Sequence, residues 1–325
     1  MKSALDTGNT AWLLTSAALV LLMIPGLAFF YGGMVRQKSV LNMLMMVMGA
    51  LFIVGVLWTF FGYGMAFGTD AAGATDNAWL GNISDNIGLT SLITDNPEAT
   101  YPAMAFVAFQ AMFACITVGL IAGAIADRTR FWPWMLFAAV WATLVYFPVA
   151  HWVWASSGWI FKLGVIDFAG GTAVHINAGA AALALAIVLG RRIGWPKQPM
   201  KPHNLTLVMI GAGLLWFGWF GFNAGSALAA NNASAVVFYN TFIATCAAAI
   251  GWLVVEKLRD GHATSLGAAS GIVAGLVAIT PSCSAVTPIG AIIIGVIAGV
   301  LCALAVGLKY VFKFDDSLDV VGVHL

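Results

Sequence analysis

Charge is what this sequence has least of. Lys, Arg, Asp and Glu together make up 8% of its 325 residues, against 61% hydrophobic. So little polar surface cannot cover a soluble globule of that length, which leaves a polytopic membrane protein embedded in a lipid bilayer. Cysteine is sparse too. Cys115, Cys246 and Cys302 fall inside apolar runs and Cys283 in a turn, so neither a disulfide framework nor a metal-ligand spacing exists. No basic patch reads as a nucleic-acid footprint. A nucleophile with partners, a phosphate-binding loop and a metal cluster are all missing, so no enzyme and no cofactor is expected.

What is present is a succession of apolar runs near the ~20 residues that cross a bilayer. They predict an all-α architecture with helices near 10–32, 40–67, 101–125, 132–151, 170–190, 204–224, 234–256, 264–280 and 287–311, and a tenth starting around 318. The basic residues sort with them. Arg36, Lys38, Arg128, Arg130, Arg191, Arg192, Lys197, Lys201, Lys257, Arg259, Lys309 and Lys313 follow odd-numbered helices, leaving only Lys2 and Lys162 on the other side. By the positive-inside rule the odd exits are cytoplasmic and the N-terminus is outside. The connector 68–100 has no Lys or Arg but holds Asp70, Asp76, Asp85, Asp95 and Glu98, as an external loop should. The first run is too long for a signal-peptide core and reads as a retained helix.

The chain stops one residue after His324, and about seven residues of helix cannot span a bilayer, so the sequence reads as a single domain, 1–325, cut off within helix ten. Two inverted halves are expected, about 10–190 and 204–325.

Two histidines stand in apolar stretches, each eight residues after an aspartate: Asp167…His175 and Asp316…His324. Ionisable groups inside a membrane are costly and mark pathways. Helix five enters from outside at Asp167 and helix ten from inside at Asp316, so each histidine is carried ~12 Å inward. In a ~30 Å core the two rings come within roughly 6 Å of one depth, which makes adjacent imidazoles plausible. His151, His203 and His262, at helix ends or connectors, read as solvated.

Further positions share helix faces: Phe109 with Phe113 at i, i+4, and Trp219, Phe222 and Ser226 at i, i+3, i+7. Trp154 lies just beyond helix four on the external side. Most of the other aromatics, Trp152, Trp159 and Trp195 among them, read as interfacial, lipid-facing or core. Asp167, at a helix start, reads as a cap complementing the dipole, and Asp316 and Asp319 as its cytoplasmic counterparts. Gly267-x3-Gly271-x3-Gly275 and Gly295-x3-Gly299 permit close helix contact.

The stretches FYGGMVRQKSVLNM (30–43), AFQAMFACITVGLIAGAIADR (108–128), AHWVW (150–154), DFAGGTAVHINAG (167–179), KPHN (201–204), WFGFNAGSA (219–227), GIVAGLVAITP (271–281) and DDSLDVVGVH (315–324) resemble the ammonium transporter, methylammonium permease and Rhesus protein family, bacterial type, over the whole chain. The resemblance implies eleven helices, a homotrimer in the cell membrane, and one pore per subunit lined by a histidine pair matching His175 and His324. It implies a recruitment site of Trp154, Phe113 and Ser226, a gate of Phe113 over Phe222, and Asp167 ordering the neighbourhood. It also implies a PII-type regulatory protein docking on the cytoplasmic face near loops 190–203 and 256–263, whose charge positive-inside bias alone would also explain.

The chemistry agrees with that pattern. An ammonium ion pays heavily to enter hydrocarbon and ammonia little, so a selective route captures the ion and passes the neutral molecule. Aromatic faces attract a desolvated cation and a hydroxyl accepts its N–H. Apolar walls keep the histidines neutral, able both to donate and to accept. Potassium has no proton to give. Three alternatives remain: a Rhesus-type gas channel for ammonia or carbon dioxide, which Trp154 disfavours; an ammonium sensor; and a haem protein with paired histidine ligands, which predicts a Soret band.

Overall fold

The computed structural model describes residues 4–68, 77–94, 99–198 and 200–325. Lys2, Asp70, Asp76, Asp95 and Glu98 lie outside the described residues.

Ten helical elements carry the architecture: α1 (Thr7–Met34), α2 (Gln37–Phe67), α3 (Ala103–Ile125), α4 (131–154), α5 (Gly171–Val188), α6 (Leu205–Gly225), α7 (Asn232–Asp260), α8 (Ser265–Ile279), α9 (Pro288–Ala305) and α10 (Val320–His324). No strand occurs among the described residues. The all-α polytopic fold read from the apolar runs is the one observed, with most boundaries moved by only a few residues. Trp154 closes α4 rather than following it.

Local signals set the helix starts. Asp6, Asn204, Thr264 and Thr287 each accept a backbone N–H three residues on. Asn231 and Ser234 cap one another reciprocally. These contacts satisfy N–H groups that no helix can satisfy itself.

The helices pack through small residues. α1 lies along α6, and α7 sits against α8 and α9. A Cβ on Gly271 would come 2.8 Å from the Ala249 Cα, and one on Gly275 would come 2.7 Å from the Ala248 Cβ. Cβ atoms on Gly295 and Gly299 would overlap the Ala244 and Ala248 carbonyls of α7. The glycine spacing thus brings backbones together. On the opposite faces Leu41, Trp132, Leu136, Val188 and Ile250 are exposed, as lipid contact requires.

Three helices contain wide π-type turns, at Trp58–Gly62, Ala142–Tyr146 and Gly171–Ile176. The first two face each other, Gly62 making room for the Phe147 ring. The third carries His175.

At one end of the bundle a polar lattice ties α3, α5 and the 313–319 segment together. Arg192 pairs side-on with Asp315, Nε donating to Oδ2 at 2.9 Å and Nη2 to Oδ1 at 2.8 Å. Arg128 donates to the carbonyls of Ala124, Gly190 and Asp315. Burial works to raise the Asp315 carboxyl, but the Arg192 bonds hold it below the usual carboxylate range.

Two readings of polar residues are corrected. His151 is not solvated: it is 1% exposed, with its Nδ1 3.0 Å from the Ala66 carbonyl and its Nε2 2.8 Å from the Asn77 carbonyl. His203 and His262 are both exposed, His203 with its Nδ1 3.0 Å from the Val35 carbonyl. Asp319 does not cap α10. Its carboxylate goes to Lys309 Nζ, 2.6 Å away, because a left-handed backbone at φ 63° turns it from the helix.

Candidate functional site

The site is built where α5 and α10 start from opposite faces. Asp167 accepts four backbone N–H groups, from Gly170, Gly171, Thr172 and Ala173, at 2.6–3.0 Å. One carboxylate thereby satisfies the donors of the whole first turn. The π-type turn that follows takes the His175 N–H back to the Gly170 carbonyl, five residues rather than four. Asp316 Oδ2 accepts the Val321 N–H at 2.7 Å, and α10 then brings His324 to meet His175.

The two imidazoles touch, Nδ1 to Nδ1 at 3.0 Å with ring centroids 5.1 Å apart. Trp219 stacks on His175 at 5.3 Å and 11°, its indole N–H donating to Thr280 Oγ1. One void beside the rings is ≈ 20 Å³, room for about one water-sized molecule, and a more open cavity of ≈ 350 Å³ also reaches both histidines. The lining of the smaller void is apolar except for the histidines, Trp219 and Tyr31. The Nε2 of His175 is buried and has no hydrogen-bond partner.

Above the histidines Phe222 lies 6.0 Å from the His175 ring. Phe113 stacks on Phe222 at 4.2 Å and 27°. Phe113 in turn meets Phe109 at 4.8 Å and the edge of Trp154 at 5.8 Å and 86°. Trp154 donates its indole N–H to the Asp167 carbonyl at 3.1 Å, which ties the aromatic group to the start of α5. Ser226 sits one turn beyond Phe222 and donates to its carbonyl at 2.9 Å, leaving the oxygen lone pairs to accept.

All nine residues singled out from the sequence therefore lie along one line, from Trp154 and Ser226 through Phe109, Phe113 and Phe222 to Trp219, His175 and His324, with Asp167 alongside. Residues 11–325 match the Ammonium Transporter Family. The chain belongs to this family. It is 61% identical over 344 residues to an ammonium transporter of Mycobacterium bovis, covering 98% of this chain and 71% of the relative. An ammonium transporter of Aquifex aeolicus is 48% identical, with 99% and 75% covered. The fold matches the crystal structure of Saccharomyces cerevisiae Mep2 with a TM-score of 0.90 and 36% identity, covering 98% and 73%. This is a multi-pass membrane protein that transports ammonium.

In this ammonium transporter, sequence spacing missed two participants. Tyr31 lines the void with its hydroxyl turned to the Leu120 carbonyl at 3.0 Å, and nothing in an apolar helix marks one tyrosine out. Lys309 pairs with Asp319, but its charge fitted the cytoplasmic bias and gave no further signal. Among the described residues no group of three or more His, Cys, Asp or Glu is placed to hold a metal.

Proposed function

We propose that ammonium is captured outside by Trp154, Phe113 and Ser226, loses its proton at or below the Phe113–Phe222 gate, and crosses as ammonia past His175 and His324. The observation that carries this is the direct Nδ1–Nδ1 contact inside a void with room for one small molecule. Two neutral imidazoles 3.0 Å apart share one hydrogen. One Nε2 is then an acceptor and the other a donor, as a proton relay requires. The stacked phenylalanines leave no aqueous path, so the full hydration shell of an ion must be shed above them, against aromatic faces worth ~2 kcal/mol to a desolvated cation. Potassium meets the same cost with no proton to surrender.

In this reading Asp167 positions the capture site, Phe109 and Trp219 support the gate and the histidine, and no residue catalyses covalent chemistry. The protein works in the cell membrane with its N-terminus outside. The whole chain acts as one domain of inverted halves, 10–190 and 204–325, assembled as a trimer. A PII-type protein meets the basic loops 190–203 and 256–263.

The test is current on a solid-supported membrane after ammonium and then potassium jumps, with His175→Ala beside the wild type. The expected result is an ammonium current absent for potassium and lost, or made potassium-sensitive, in the variant. No wild-type current, together with alkalinisation of the vesicle lumen, would instead establish the neutral gas channel that the apolar void also accommodates.

A further inference from the structure

His151 is the one buried histidine that the route above does not use. It sits on the last turn of α4, three residues before Trp154, and its own carbonyl closes that turn by accepting the Ala155 N–H. Both ring nitrogens face carbonyl oxygens, Ala66 at the end of α2 and Asn77 in the external loop, at 3.0 and 2.8 Å. A carbonyl oxygen only accepts, and a neutral imidazole has a single N–H. Both contacts are hydrogen bonds only when the ring carries two protons. In the neutral ring with its N–H toward Ala66, the Nε2 lone pair points at the Asn77 oxygen, and a buried repulsive contact of that kind is costly. A second partner stands ready: Ser157 Oγ lies 3.4 Å from the same Nε2 and can donate to it.

We propose that His151 is a positioning residue for Trp154, clamping the external loop to α2 and α4 when doubly protonated and releasing the Asn77 segment to Ser157 when neutral; the link to capture rests on Trp154 being the recruitment residue. The loop hangs from the same turn by other bonds, Trp152 Nε1 to the Trp79 carbonyl at 2.7 Å and the Trp159 N–H to the Ala78 carbonyl at 3.2 Å. The Trp79, Trp152 and Trp159 rings form a cluster 5.8–5.9 Å apart over it. The α4 end is thus pinned between the loop, through His151, and the start of α5, through the Trp154 bond to Asp167. Titratable side chains on the elements packed around this turn are Tyr63, Tyr146, Lys162 and His175, with Asp85 in the loop. The ring's hydrogen bonds run instead to Ala66, Asn77 and Ser157.

The test is deuterium exchange of the amides at 78–82 in reconstituted protein, read by mass spectrometry between about pH 5 and pH 8 and corrected for intrinsic exchange. Wild type should lose protection by about tenfold across that range, and His151→Gln should show no step. Ser157→Ala, which leaves the ring in place, should move the step to higher pH, because the neutral form loses its donor. The half-saturating ammonium concentration should follow the same step in wild type and be flat in His151→Gln. Equal, pH-independent protection in wild type and His151→Gln overturns the clamp. A step in exchange without one in half-saturation overturns the link to Trp154. Should Trp154→Leu keep the wild-type half-saturation, the recruitment reading fails while the exchange step stands apart from it.

Discussion

The two half-helices that present the histidines share an aspartate eight residues upstream, yet they are anchored in different ways. Asp167 spends both oxygens on four N–H groups of its own helix. Asp316 holds one, leaves its Oδ1 buried without a partner, and relies on neighbours: Lys309 on Asp319 and on the Asp316 carbonyl, Arg192 on Asp315. The start of α5 is fixed by backbone geometry and the start of α10 by ion pairs. Backbone bonds inside a low-dielectric turn are insensitive to salt, whereas the Lys309–Asp319 pair, with the Asp319 side chain 28% exposed, is open to some screening. The difference places the rigid end where the aromatic group sits.

This comparison can be broken most directly with two alanine variants. Asp167→Ala should cost roughly 3 kcal/mol or more, since buried N–H groups lose a charged acceptor together, and Asp316→Ala about 1–2 kcal/mol. Thermal unfolding in detergent reads both, and equal losses would erase the asymmetry. Next in size, Trp154→Leu should raise the half-saturating ammonium concentration about tenfold, the loss of ~1.4 kcal/mol of cation attraction, leaving maximal current largely intact. Lys309→Met should cost about 1 kcal/mol, because the pair is partly screened by solvent, and that difference should shrink in high salt while the effect of Asp167→Ala does not. The smallest effect is acid loosening of the polar lattice. The Asp315 carboxyl is held below its ordinary range, so its contribution is complete above ~pH 4 and fades only as pH falls through the lowered value. Amide exchange at 189–193 and 313–318 should rise at the acid end only.

Much of the site was legible because membrane geometry converts sequence spacing into depth. Eight residues from a polar start, on helices entering from opposite faces, put His175 and His324 near one depth without any knowledge of the fold; their lateral contact is set by helix packing. The Phe109–Phe113 and Trp219–Phe222–Ser226 spacings worked for the same reason, since helical periodicity fixes a face. What the sequence did not disclose is long-range or lies in backbone detail. The π-type turn at Gly171–Ile176 rotates His175 relative to a regular helix, and no residue pattern announces it. His151 was expected at the end of a helix over 132–151, whereas α4 runs on to Trp154; its burial depends on a loop 74 positions away. Asp319 was read as a cap because Asp316 is one, and only its positive φ and the nearness of Lys309 decide otherwise.

The hydrogen shared by the twin imidazoles has a consequence for timing. Suppose the ring that donates through Nδ1 receives a proton at its free Nε2, passes its Nδ1 hydrogen across, and the second ring releases its own Nε2 hydrogen. The donor and acceptor have then exchanged places, and the entry nitrogen is occupied. A second proton cannot follow in the same direction until both rings have swapped tautomers back, and the Trp219 stack hinders a simple flip. On the proposed relay the contact would therefore also be a one-shot counter: it would admit a single proton, record its passage in the direction of one hydrogen bond, and have to be rewound before the next.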